Sequence, residues 1–197
     1  MKRAAATAAD TTSTRVYIAP PSPRDRTDFI AAGNRSGRLH RSWLTMRFND
    51  TTFDAYLKRA RRDDHACFLV RRTDDDALVG VININQIIRG FFHSGFLGYY
   101  GFRPHEGQGL MTDGLELVLR YAFIRLKMHR LEANIQPDNA ASIALVRRCG
   151  FRLEGLSLRY LKIAGRWRDH ERWAMTIEDW RGRTGARRRT RVRTTSS

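Results

Sequence analysis

Two segments of this 197-residue chain hold residue types in a spacing that suits chemistry. The first is YYGFRPHEGQGLMTDGLELVLRYAF, residues 99–123. An aromatic, glycine-bearing strand runs into Gly107-Gln108-Gly109, and a helix opens at once. Its apolar residues Leu110, Met111, Leu115, Val118, Leu119, Ala122 and Phe123 recur by threes and fours. Glycine lets the backbone turn at unusual φ and approach a ligand closely. The unpaired N–H groups of the first helical turn converge on one spot, and with the helix dipole they favour an anion, typically a phosphate. The other reading is a tight strand-to-helix turn that binds nothing. No Gly-Lys-Ser/Thr follows, so this is no nucleotide P-loop. Three glycines at dinucleotide-fingerprint spacing are missing as well. The second segment is RLEANIQ, residues 130–136. Its alternation puts Leu131, Ala133 and Ile135 on one face and Glu132, Asn134 and Gln136 on the other. Pro137 ends the strand, Asn139 caps a helix over 139–149 with Ser142 in its first turn, and Gly150 follows as its stop. If strands 95–103 and 130–136 are neighbours, the glycine turn and the polar face meet at one cleft.

The remaining elements must hold those two strands side by side. TRVYIAPPSP (14–23) reads as a strand that stops at Pro20. A helix from Asp25 to about Leu44 is broken by Gly33 and Gly37, and a second over 48–62 carries Phe53, Tyr56 and Leu57 at helical spacing. ACFLVRR and ALVGVININQII flank the turn TDDD as a hairpin. RLEGLSLRYLKI and RDHERWAMTI form another around AGRW, with Trp173, Met175 and Ile177 on one face. The order β, α, α, β, β, β, α, β, α, β, β implies a mixed α/β fold with helices packed on a mixed sheet.

Net charge is +16 and the isoelectric point about 11.1, so the chain is drawn to polyanions. Residues 181–197 hold seven arginines and no acid. They are expected as a disordered Arg-rich tail, either a polyanion-binding arm or a solvated extension. Residues 1–13 are expected as a flexible leader and 14–180 as one domain. Two cysteines, Cys67 and Cys149, cannot make a disulfide framework and read as small buried hydrophobes in a reducing, cytoplasmic setting. No apolar run reaches 18 residues, and no Cys/His cluster has metal spacing, so neither membrane nor metal is expected.

GYYGFRPHEGQGLMTDGL, HRLEANIQPDNAASIALVRRCGFRLEG and YLKIAGRWRDHERWAMTIEDW, in that order, resemble the Gcn5-related N-acetyltransferase (GNAT) superfamily. Within it they are most similar to the ribosomal-protein alanine N-acetyltransferases of the Rim type. The resemblance implies a central twisted mixed sheet of six to seven strands, about four helices, and a V-shaped split between strands near 95–103 and 130–136. It implies acetyl-CoA as co-substrate, with no metal. The pyrophosphate would sit on the turn Gly107, Gln108, Gly109, Leu110, Met111 and Thr112. Glu106 departs from the family's Gln/Arg and Met111 from its Gly/Ala, and Arg103 is expected to offset the acid. The pantetheine arm would pair with the backbone of Tyr100, Gly101 and Phe102, with Asn134 and Asn139 on the other wall. Ser142 would bond the thiolate leaving group, and the N–H near Phe102 would hold the oxyanion. The family's glutamate base and tyrosine acid fall here on Asn134 and Val146. The base is therefore assigned to Glu132, with His170 second. His93, Trp167 and Trp173 are read as structural or as cleft wall.

Three functions are weighed. The first is acetylation of the N-terminal α-amine of a protein, a ribosomal one by resemblance, with the basic surface and Arg tail working near RNA. The second is acetylation of a small amine, with polyamines disfavoured by like charge. The third is a ribosome- or RNA-associated binding module with weak or no catalysis.

Overall fold

The computed structural model describes residues 11–40, 43 and 46–183. Seven strands form one sheet: β1 (Val16–Ala19), β2 (Ala66–Arg72), β3 (Leu78–Ile88), β4 (Ser94–Gly101), β5 (Arg130–Ile135), β6 (Arg152–Ile163) and β7 (Arg166–Thr176). Their order across the sheet is β1-β2-β3-β4-β5-β7-β6. All neighbours are antiparallel except β4 and β5, which run parallel. That one parallel step follows from the intervening helix, since parallel strands need a long crossover.

Six helices accompany the sheet among the described residues: α1 (Arg26–Arg35), α2 (Gly37–His40), α3 (Asp50–Ala60), α4 (Leu110–Arg120), α5 (Ala140–Arg148) and α6 (177–183). The two beyond the expected four, α2 and α6, are short. The first expected helix does break, at Ser36 beside the expected Gly37, while Gly33 lies inside α1. The Ser36 hydroxyl donates back to the Ala32 carbonyl at 2.7 Å and accepts the Arg103 N–H at 3.0 Å. Gly33 stays helical because a Cβ there would lie 2.0 Å from the Phe48 ring. At the other end, α6 runs past the expected boundary at Trp180, and Arg183 grips both Glu116 oxygens at 2.6 and 2.5 Å. The chain is already engaged at Ser13, whose N–H donates to the Val16 carbonyl at 2.8 Å. The rest of the expected leader and tail, 1–10 and 184–197, lies outside the described residues.

Strand alternation splits the core between the two sheet faces. On β2, Ala66, Phe68 and Val70 join the layer under α4 and α5, with Leu115, Val118, Phe123 and Val146. Cys67 and Leu69 join the opposite layer with Phe29, Phe53 and Tyr56 of α1 and α3. Both cysteines are buried thiols. Each fully buried Leu or Phe contributes about 1.5–3 kcal/mol, so two such layers clamp the sheet from both sides.

One detail of the sheet creates the site. The β4–β5 ladder runs from Ser94↔Arg130 to Leu97↔Ala133 and stops there. Beyond it, β4 stays paired with β3 as far as Gly101, while β5 stays paired with β7 as far as Ile135. The two strands therefore part, and the V-shaped split stands open at the centre of the sheet.

Candidate active site

The split holds a cavity of about 310 Å³, lined on the β4 side by Gly98, Tyr99 and Tyr100 and on the β5 side by Ala133, Asn134 and Ile135. Helix α5 brings Asn139 and Ser142 to its wall, and β6 and β7 bring Leu161, Ile163 and His170. Asn139 accepts the Ser142 N–H at 3.1 Å, so the helix cap also orients the serine. The two strands and the cap thus meet at one cleft; of the expected polar face, Asn134 and Gln136 line it, while Glu132 and the glycine turn do not.

Just past the end of β4 lies the glycine turn. Gly107 and Gly109 sit at φ +73° and +76°, which only glycine adopts without strain. Gly109 is the N-cap of α4 and brings no side chain to its N–H groups. The Thr112 and Asp113 N–H groups return to the Gly109 carbonyl at 3.0 and 3.1 Å, so the expected pyrophosphate contact at Thr112 has no backbone proton to use. Glu106 is turned aside: its carboxylate accepts from Arg103 Nε at 2.9 Å. Arg15, from the segment before β1, adds a second cation. It donates to the Gln108 carbonyl at 3.1 Å and to Asp113 at 2.7 Å. No local motif announces Arg15, because it reaches the turn across 93 residues of chain.

Two assignments fail on hydrogen-bond accounting. The Phe102 N–H donates to the Val79 carbonyl at 2.7 Å, and the Phe102 ring is buried with Phe29 and Phe48. It has no proton to offer an oxyanion. Antiparallel pairs alternate between those that exchange both bonds and those that exchange none. With Phe102 facing Val79, the register turns the peptide groups of Tyr100 and Gly98 toward β3 and those of Tyr99 and Gly101 toward the split. Of the expected trio only Gly101 has its backbone free for a strand-like ligand; Tyr99 replaces Tyr100. The Tyr99 hydroxyl, held by the Ser142 carbonyl at 3.4 Å, is buried enough that its ionisation is pushed up.

Glu132 is not placed as a base. It sits one step on the closed side of the fork, opposite Phe96, and does not line the cavity. Its two oxygens are taken by Arg130 at 2.9 Å and Arg172 at 2.5 Å. Burial opposes its charge, but those two guanidiniums outweigh burial and hold the carboxyl below its ordinary range. Such a group gives up its arginines before it takes a proton. His170 lines the cavity and is 3 % exposed. Its Nδ1 lies 3.0 Å from the Arg168 carbonyl, and a carbonyl only accepts, so Nδ1 is the donor in that contact. Asn134 lines the opposite wall, and its side-chain oxygen is buried without a hydrogen-bond donor. A buried acceptor of that kind is costly unless a ligand completes it.

Of the remaining candidates, Val146 and Trp173 are core, and the exposed His93 turns through positive φ at the far end of the sheet. Trp167, expected in core or cleft, is 60 % exposed on the β6–β7 hairpin. Among the described residues there is no cluster of His, Cys, Asp or Glu that could hold a metal.

Residues 15–152 match the family described as acetyltransferase (GNAT) domain. The chain belongs to the GNAT acetyltransferase family. Its members move an acetyl group from acetyl-CoA to an amine, and the split strands, the glycine turn and the orphaned Asn134 oxygen fit such a donor. The chain is 38% identical over 124 residues to "Probable N-acetyltransferase YjcK" of Bacillus subtilis, covering 63% of this chain and 68% of that one. It is 40% identical over 107 residues to the [ribosomal protein uS5]-alanine N-acetyltransferase of Escherichia coli, covering 54% of this chain and 55% of that one. The matched region thus spans little more than half of that relative. Among solved structures, Mycobacterium smegmatis RimJ in complex with CoA-disulfide superposes with a TM-score of 0.76 at 28% identity, covering 83% of each chain. Spermidine N-acetyltransferase from Vibrio cholerae, in complex with CoA and spermine, shares the GNAT fold with a TM-score of 0.72 at 19% identity, covering 85% of this chain and 99% of that one.

Proposed function

We propose that this GNAT enzyme acetylates the α-amine of a protein N-terminus, with a ribosomal protein as the candidate acceptor. The observation that carries the reading is the cavity at the fork of β4 and β5. Its walls are the parted ends of β4 and β5, with Trp43, Met46, Arg59 of α3 and the β6–β7 hairpin around them, and the glycine turn suited to a pyrophosphate lies just past the end of β4. Acetyl-CoA supplies the activated acetyl group. The amides of Gly107 to Met111, at the head of α4, hold the diphosphate end, assisted by Arg15. Tyr99 and Gly101 offer the backbone groups along which a pantetheine arm lies as an added strand. The Tyr99 N–H, on the split side of β4, is the donor for the charge that develops on the acetyl oxygen. His170 Nε2 accepts the proton of the attacking amine, directly or through water. The Ser142 hydroxyl donates to the departing sulfur.

The Rim-type resemblance favours a protein acceptor. So does the cavity wall, whose described residues include no carboxylate to receive a polyamine. The Arg-rich tail then serves to keep the enzyme near ribosomal RNA in the cytoplasm. The test is acetyl transfer from labelled acetyl-CoA to N-terminal peptides, spermidine and an aminoglycoside, together with mass spectrometry of protein N-termini from cells with and without the protein. Transfer to peptides and the loss of one or a few acetylated N-termini are expected; transfer to the small amines alone refutes the reading.

A further inference from the structure

Arg59, near the end of α3, is the one permanent charge among the described residues that line the cavity. Neighbouring arginines are spoken for: Arg26 by Asp50 and Asp54, Arg62 by Asp64, Arg71 by Asp25 and Asp28. No carboxylate meets Arg59 among the described residues, and its Nε is buried without a hydrogen-bond partner. Its guanidinium is nevertheless held in place. It lies 5.3 Å from the centroid of the buried Tyr56 ring, whose hydroxyl donates to Asn83 Oδ1 at 3.0 Å in the cavity wall. Such stacking pre-organises the planar fork of an arginine for a carboxylate.

The two sheet faces divide the labour. The glycine turn and Ser142 belong with α4 and α5, whereas Arg59 comes from the α1/α3 side, where the acceptor enters. We propose that Arg59 is a carboxylate-recognition residue, so that the preferred acceptor is an amine bearing a carboxylate a few bonds away. This rests on the reading of the cavity as the acceptor site. Two sources share that chemistry, a protein N-terminus with Asp or Glu just after its first residue and a free α-amino acid. A cation placed there meets an unneutralised guanidinium in a partly buried site, where repulsion is poorly screened.

The experiment compares the full chain with Arg59→Gln and Arg59→Glu variants. Acceptors are the peptides Ala-Glu-, Ala-Gln- and Ala-Lys- on a common neutral tail, plus free alanine. Calorimetry with CoA, together with the melting temperature, checks that the variants are folded and bind donor. Wild type should favour the Glu peptide over the Lys peptide by about tenfold or more in kcat/KM, the scale of one charge-assisted hydrogen bond. Arg59→Gln should erase that ranking and Arg59→Glu invert it. Equal turnover of the three peptides, or a ranking that Arg59→Glu leaves unmoved, overturns the carboxylate rule while the N-terminal reading stands. Turnover of free alanine alone, lost with Arg59, upholds the rule and removes the N-terminal reading.

Discussion

On the proposed function, His170 and Ser142 divide the proton work at the residue scale, and their substitutions should separate cleanly. Replacing His170 with Asn keeps a smaller polar group whose amide can still donate to the Arg168 carbonyl but removes Nε2. The kcat should fall about 100-fold, within the span of general-base catalysis, with little change in KM for acetyl-CoA in steady-state assays. Glu132→Gln should cost far less activity, because that carboxylate lies behind the fork and is already bound by Arg130 and Arg172. Ser142→Ala should lower kcat while leaving the melting temperature nearly unmoved, since Asn139 bonds the backbone N–H and not the hydroxyl. Asn139→Ala should lower both, removing about 1 kcal/mol of helix capping along with the cavity wall. Asn139, Ser142 and the glycines were legible in the sequence because each acts through local geometry. Tyr99 and Arg59 were not, because which peptide group or guanidinium faces the split depends on the β3–β4 register and on a helix docked from elsewhere.

The β5–β6–β7 face carries a charged ladder at the scale of elements. Arg152 and Arg130 share Glu154, and Arg130 and Arg172 share Glu132. Hydrogen bonds from Arg130 hold the Glu154 carboxyl down at about 2, and Glu132 is also lowered. A carboxyl depressed in the folded state stabilises the fold above its unfolded value and loses that contribution as pH falls toward the folded one. The melting temperature should therefore drop between about pH 4.5 and 2, and a Glu132→Gln, Glu154→Gln double variant should drop less, as followed by calorimetry. The partly exposed pairs make this a modest effect, screened further by salt. At the glycine turn the consequence is functional. Gly109→Ala forces a side chain into positive φ, at a cost of about 1 kcal/mol, beside Arg15. CoA affinity should weaken about fivefold by calorimetry, the factor to which that cost corresponds.

Charge sets the expectations for the whole molecule. A net +16, with five arginines among residues 184–197, predicts salt-sensitive association with RNA. Deleting 184–197 should lower the slope of log K against log salt by about 3 to 4 in filter binding to single-stranded RNA, while acetyl transfer to short peptides is retained. The sequence alone determined the mixed α/β order, the two hairpins, the glycine turn at the head of α4 and the capped serine of α5. Each of these is a matter of local propensity or of periodicity over a few residues. It also carried the family resemblance, because the three motifs are contiguous. Only the tertiary structure decided which side of β4 faces the split, that Glu132 is an ion-pair member, that His170 and Arg59 line the cavity, and that Arg15 reaches the glycine turn. Those outcomes depend on strand register and on contacts between residues far apart in the chain, where one residue of slip reverses every side chain and every amide.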